Sequence, residues 1–154
     1  MKNKWQLILA LIIAILIGLF FYNNTFAKAS YNGFYTVSCQ EKGKKMARDY
    51  AFMIEIMVEN NKYQLPKNFG RGECLNEIFA EKQNDVVRVR TNEFKSFTLG
   101  NFFNQLNEGF NKEQIFGKRV SKDRKLEVYV NGIKVDTYEN TPLFPDSRIQ
   151  IVYK

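Results

Sequence analysis

Hydrophobic and polar residues alternate through the later part of this chain. In "YAFMIEIMVENNKYQLP", Phe52, Ile54, Ile56 and Val58 alternate with Met53, Glu55, Met57 and Glu59. A period of two predicts a strand with one dry face. Met46, Tyr50, Met53 and Met57 also fit a helix, but Asn60-Asn61 stands between two alternating runs. Asn tolerates the positive φ of a tight turn, so a hairpin is expected there. Its return strand carries Tyr63 and Leu65 and stops at Pro66.

"VVRVRT" (Val86 to Thr91) alternates again, with Val87 and Val89 on one side and Arg88 and Arg90 on the other. Thr98 is then the N-cap of a short helix whose stripe is Leu99, Phe102, Phe103 and Leu106, closed by Gly109. "LEVYVNGIKV" places Leu126, Val128 and Val130 on one face and turns at Asn131-Gly132, the strongest short hairpin signal. In "DSRIQIVYK", Ile149, Ile151 and Tyr153, or else their neighbours, turn inward. Hairpin, strand, short helix, hairpin, strand predicts an α+β fold. The expected architecture is a small, largely antiparallel sheet packed on one amphipathic helix, in a β-grasp-like arrangement.

The N-terminus follows a different rule. Lys2 and Lys4 precede "LILALIIAILIGLFFY" (Leu7 to Tyr22), which holds no charge. At ~1.5 Å per residue the run covers about 24 Å, and about 27 Å with Trp5 and Gln6, close to the ~30 Å hydrocarbon core of a bilayer. Positive charge before the run predicts a cytoplasmic N-terminus and an exported remainder. The expected organisation is a cytoplasmic stretch 1–6, a transmembrane signal-anchor 7–23, a tether 24–45 and an exported α+β domain 46–154. The alternative is a secreted product: "AKAS" (Ala27 to Ser30) has the small-x-small pattern of a signal-peptidase site, with the cut after Ala29.

Composition narrows the chemistry. The chain of 154 residues contains no histidine, which excludes Ser-His-Asp, Cys-His and His-based zinc sites. It is 45% hydrophobic, with 14 Phe and 8 Tyr, enough to fill a packed core. Three of its 23 Lys and Arg precede Ser30, leaving 20 against 16 acids and a net charge of +4 on the exported part. Two basic clusters stand out: "KGKK" (Lys42 to Lys45) with Arg48, and the group Lys118, Arg119, Lys122, Arg124 and Lys125. The second is a candidate contact for anionic lipid, set against the plainer reading of a solvated loop. Nucleic acid is not an expected partner outside the cytoplasm. Cys39 and Cys74 are the only cysteines. In an oxidising compartment they are candidates for one disulfide worth ~3–4 kcal/mol, or they remain two thiols.

"IEIMVENNKYQLPKNFG", "FTLGNFFNQLNEGFNKEQIFG" and "LEVYVNGIKVDTYENTPLFPDSRIQIVYK", in that order, resemble a family of uncharacterised prokaryotic exported domains, often anchored at the N-terminus. The resemblance covers roughly residues 52–154. It implies a His-rich stretch, and so a metal-binding reading, at "FAEKQNDVVRV". Here Phe79, Glu81 and Arg88 stand at the histidine positions. Phe79 has no lone pair and Arg88 is permanently cationic, so the resemblance implies that the site has been lost.

"GECLNEIFAEKQND" carries Glu73, Glu77, Glu81 and Asp85 at every fourth position. As a helix they would share one face. As strand and turn, "CLNEIF" would pair back on "VVRVRT". Both readings turn the acids outward, and no tight calcium-type loop is present. These four residues, with Cys74 if reduced, are the metal-ligand candidates; a solvated face is the competing reading. No catalytic residues and no cofactor are expected. The leading expectation is a non-catalytic, membrane-anchored extracytoplasmic module that binds another protein or packs in an envelope assembly. Some of Tyr31, Phe34, Tyr35, Phe69, Phe110 and Phe116 are its candidate exposed contacts, set against the plainer and favoured reading that most of them fill the core. The alternative is a binding protein for a metal or small ligand with acidic ligands; a hydrolase using two carboxylates ranks third.

Overall fold

A computed structural model of the chain describes residues 36–81 and 85–154, which belong to one compact unit. The membrane segment 7–23, the cleavage motif and the aromatics Tyr31, Phe34 and Tyr35 lie outside the described residues. Among the described residues no helix is long and apolar enough to cross a membrane.

The strands are β1 (Arg48–Val58), β2 (Asn61–Lys62), β3 (Ile78–Ala80), β4 (Val86–Thr91), β5 (Phe110–Asn111), β6 (Gln114–Ile115), β7 (Lys118–Arg119), β8 (Leu126–Val130), β9 (Ile133–Val135) and β10 (Arg148–Tyr153). One α-helix, α1 (Leu99–Gln105), and a 3-10 turn at Tyr138–Asn140 complete the set. The main sheet runs β3-β4-β1-β10-β8-β9, with β2 also on β1. It is mixed. β1 and β10 are parallel, with Ile54 opposite Ile149 and Ile56 opposite Ile151, and the other pairs are antiparallel.

The alternation in β1 becomes two faces. Phe52, Ile54 and Ile56 are buried with Val87, Val89, Val128, Ile149 and Ile151. α1 supplies Leu99, Phe102 and Phe103 to the same core. Its N-cap is Thr98, whose N–H donates to Asn101 Oδ1 at 2.9 Å. Burying each large apolar side chain contributes about 1.5–3 kcal/mol, so this single core carries the fold. On the opposite face Ala51, Met53, Glu55, Arg88, Gln150 and Tyr129 are half-buried or exposed.

Several local expectations are corrected. The first turn is Glu59-Asn60, both at positive φ, because Val58 pairs with Asn61 across a two-residue loop. Its return strand is only Asn61–Lys62. Beyond it Tyr63 leaves the strand to stack on Phe116 at 4.4 Å, and Leu65 is buried. α1 ends at Leu106 with Asn107 in the left-handed region, so Asn107 rather than Gly109 makes the exit. A small meander, β5-β6-β7, fills a stretch that carries no clear strand signal. Phe69 and Phe110 are core residues, and Phe116 is half-buried against Phe103. These three are therefore not free contacts.

Residues 37–41, assigned by composition to a tether, are attached to the domain. Gln40 N–H donates to Leu75 O at 2.8 Å and Glu77 N–H to Ser38 O at 2.9 Å. Cys39 forms a bridge with Asn76, which extends the sheet past β3.

Candidate functional site

Just before β3 the chain makes a tight loop that projects one arginine. Gly70 has φ +73, and a Cβ there would meet the Ile78 carbonyl and stand 2.6 Å from Phe79 Cα, so only glycine lets the loop lie on β3. Arg71 N–H donates to Asn68 O at 2.7 Å, and Arg71 bridges Leu75. A disulfide between Cys74 and Cys39, with the Cα atoms 5.8 Å apart, ties the loop to the N-terminal segment.

The loop lays the Arg71 guanidinium over the Phe79 ring, 4.7 Å from its centroid, while Nε donates to Ala80 O at 3.2 Å. Phe79 is directly opposite Arg88, which is opposite Ala51, so this aromatic lies on the outward face of the sheet. It is nonetheless only 3% exposed. Arg90, two residues on from Arg88 and on the same face, lies 5.8 Å from the same ring. Two guanidiniums thus cover a ring that the sheet's pleat turns towards water.

Both strand arginines are occupied by acids. Arg88 Nη1 donates to Asp49 Oδ1 at 2.7 Å and its Nε pairs with Glu81, while Arg90 bonds Asp49 Oδ2 at 3.0 Å. Burial pushes the Asp49 carboxyl up, but the hydrogen bonds from Arg88 and Arg90 outweigh it and hold the group below its usual range. Donating to Asp49 and Glu81 raises the Arg88 pKa further. Arg71 has no acidic partner among the described residues. Together Arg71, Leu75, Phe79, Glu81, Val86, Arg88 and Arg90 line an open cleft of about 580 Å³.

The four acids singled out in the sequence go four ways. Glu73 is exposed beside the disulfide. Asp85 pairs with Lys62 at 2.6 Å. Glu81 is held by Arg88. Glu77 is 3% exposed, against the expectation of an outward face. Its carboxylate accepts from Thr91 Oγ1 at 2.7 Å, Ser38 Oγ at 2.9 Å, Ser38 N at 3.1 Å and Lys95 Nζ at 3.3 Å. Burial pushes this carboxyl up, yet those donors win and its pKa falls below the ordinary value. The fourfold spacing suggested one helical face, whereas loop and strand geometry separates the four groups. Among the described residues no three His, Cys, Asp or Glu converge as metal ligands.

In the basic cluster, Glu59 binds Lys118 at 3.0 Å and Arg124 at 2.7 Å. Arg119, Lys122 and Lys125 are exposed and have no acidic partner among the described residues.

The alternation of "VVRVRT" already puts Arg88 and Arg90 on one face. Arg71 escaped sequence reasoning, and its one local signal is its place between two glycines in "GRG". No protein-family model, curated protein or solved structure matches the chain. The cleft is therefore read from its own chemistry.

Proposed function

We propose that this chain is an exported, membrane-anchored module of β-grasp-like topology that binds a partner or ligand and does not turn over a substrate. The strand order β4-β1-β10-β8-β9, with a central parallel pair and α1 on one face, supports the β-grasp comparison. The apolar run 7–22 after Lys2 and Lys4 supports a membrane anchor, with the domain outside. Arg119, Lys122 and Lys125 support a further contact with anionic lipid.

One observation carries the binding reading. The outer face of the sheet has no covering layer among the described residues. Met53 is 47% exposed near its middle, and the Arg71–Phe79 cleft lies at its β3 end. An uncovered face with an apolar side chain and a preformed charged cleft is the surface a partner would use.

The test is site-specific photo-crosslinking of the full-length chain in native membranes. A crosslinker replacing Met53 should give a discrete adduct, and one replacing the exposed Lys112 should not. Equal yields from both positions, or none from Met53, would reject the face as the binding surface. Protease treatment of sealed vesicles checks the orientation: the domain should be cut only from the outside.

A further inference from the structure

We infer that the cleft at Arg71 takes a small organic monocarboxylate with a short apolar body, an inference that rests on reading this sheet face as a binding surface. The first ground is the state of Arg71. Its Nε is committed to Ala80 O and its guanidinium carbon lies 4.7 Å from the centre of the Phe79 ring. Its two Nη groups have no partner among the described residues. A guanidinium fixed in this way offers a planar fork, the geometry that a carboxylate accepts through two parallel hydrogen bonds.

The second ground is charge. Arg71, Arg88 and Arg90 contribute three positive charges, and Asp49 and Glu81 cancel two of them through Arg88 and Arg90. One positive charge is left, and it belongs to Arg71. A monoanion completes the balance. A phosphate dianion would bring surplus negative charge beside Glu81, and a cation would meet three guanidiniums.

Shape supplies the third. Leu75 and Val86, both half-buried, give the cleft apolar walls on either side of the covered Phe79 ring, and about 580 Å³ is within the range of small-ligand sites. The ligand's apolar part has a surface to bury against, and its acid has one fork to bind.

Calorimetry and amide NMR on the full-length chain in a neutral detergent test this, with benzoate, benzamide and inorganic phosphate as probes at low salt. Benzoate should bind and shift the amides of Leu75, Phe79 and Val86. Arg71→Gln should weaken it by about tenfold or more, the loss expected for a hydrogen-bonded charge. Arg71→Lys should lose a large part of that affinity while the fold is kept, because the charge stays and the fork goes. Lys112→Gln should leave binding unchanged. Thermal melts identify any variant that fails to fold, and Arg71→Lys then decides. Benzamide binding equal to benzoate, phosphate binding as tight or tighter, or full benzoate affinity in both Arg71 variants would overturn the inference. A crosslink from Met53 without benzoate binding would overturn the carboxylate while leaving the binding face standing. Benzoate binding without that crosslink would do the reverse.

Discussion

Glu77 is a carboxylate buried almost completely yet kept ionised by donors from three parts of the chain: Ser38, Thr91 and Lys95. Removing its charge leaves Lys95 without its most buried partner and weakens every bond to the site. Glu77→Gln should therefore destabilise the domain by about 2–3 kcal/mol, read as a lower denaturant midpoint with an unchanged slope. The pH dependence has a definite sign. The folded pKa lies below the ordinary value of 4.5, so the stabilisation is present above that value and is lost as pH falls through the folded pKa. The gap between wild type and Glu77→Gln should narrow on acidification below about pH 4.5, and a gap constant down to pH 2 would contradict this role. At Gly70, substitution meets both a positive φ and main-chain atoms of β3. Backbone cannot swing aside as a side-chain tip can, so Gly70→Ala should cost about 3 kcal/mol or more in a thermal melt. Neither residue could be assigned this weight from sequence. Glu77 sits in a row of evenly spaced acids, and the donors that bury it come from up to 39 positions away.

Of the four two-residue turns that join hairpins, three have two consecutive residues at positive φ: Glu59-Asn60, Phe116-Gly117 and Asn131-Gly132. Only the last is written in favoured residues, and only that one was placed correctly from sequence. At Glu59 the backbone strain is offset by pairing with Lys118 and Arg124. At Phe116 it is offset by stacking on Tyr63. Tertiary contact overrode local preference in both cases, so local preference could not locate the turns. Gly132 separates the two costs. Nothing lies within 4 Å of the Cβ it would gain, and its φ is +81. Gly132→Ala should cost only about 1 kcal/mol, well short of Gly70→Ala, and equal losses at the two sites would show that backbone strain alone decides both. The same edge of the sheet is fastened by Glu127, which pairs with Lys154 at 2.8 Å and Lys134 at 3.1 Å. Hydrogen bonds from Lys154 and then Lys134 lower its pKa from 4.5 to about 2. Its contribution is therefore complete above pH 4.5 and lost towards pH 2. A side-chain carbon titration that finds Glu127 with an ordinary midpoint would remove that clasp.

At the scale of the molecule, the period-two runs were enough to read the sheet's inward faces, because alternation depends only on each strand's own residues. They could not give the strand order, since the parallel contact of β1 with β10 joins residues far apart in sequence. The cleft was legible to the same extent. Arg88 and Arg90 follow from alternation, whereas Arg71 reaches Phe79 only because a long-range crosslink and Gly70 fold its loop onto β3. That crosslink makes the last prediction. Cys39 and Cys74 are 35 positions apart, so their bond removes chain entropy from the unfolded state worth about 3.5–4 kcal/mol. It also fastens segment 37–41, whose bonds to Leu75 and Glu77 remain available after reduction. The reduced chain should keep its sheet and lose stability globally. Urea unfolding with and without dithiothreitol should show a midpoint shift of that order, and a Cys39→Ser/Cys74→Ser variant should match the reduced protein. Benzoate affinity should fall with the same treatment, because the loop carrying Arg71 loses its tie while Arg88 and Arg90 stay fixed in β4. An unchanged urea midpoint would deny the crosslink its stabilising role. Unchanged affinity in the reduced protein would mean that Gly70 and the bridge to Leu75 hold Arg71 without it.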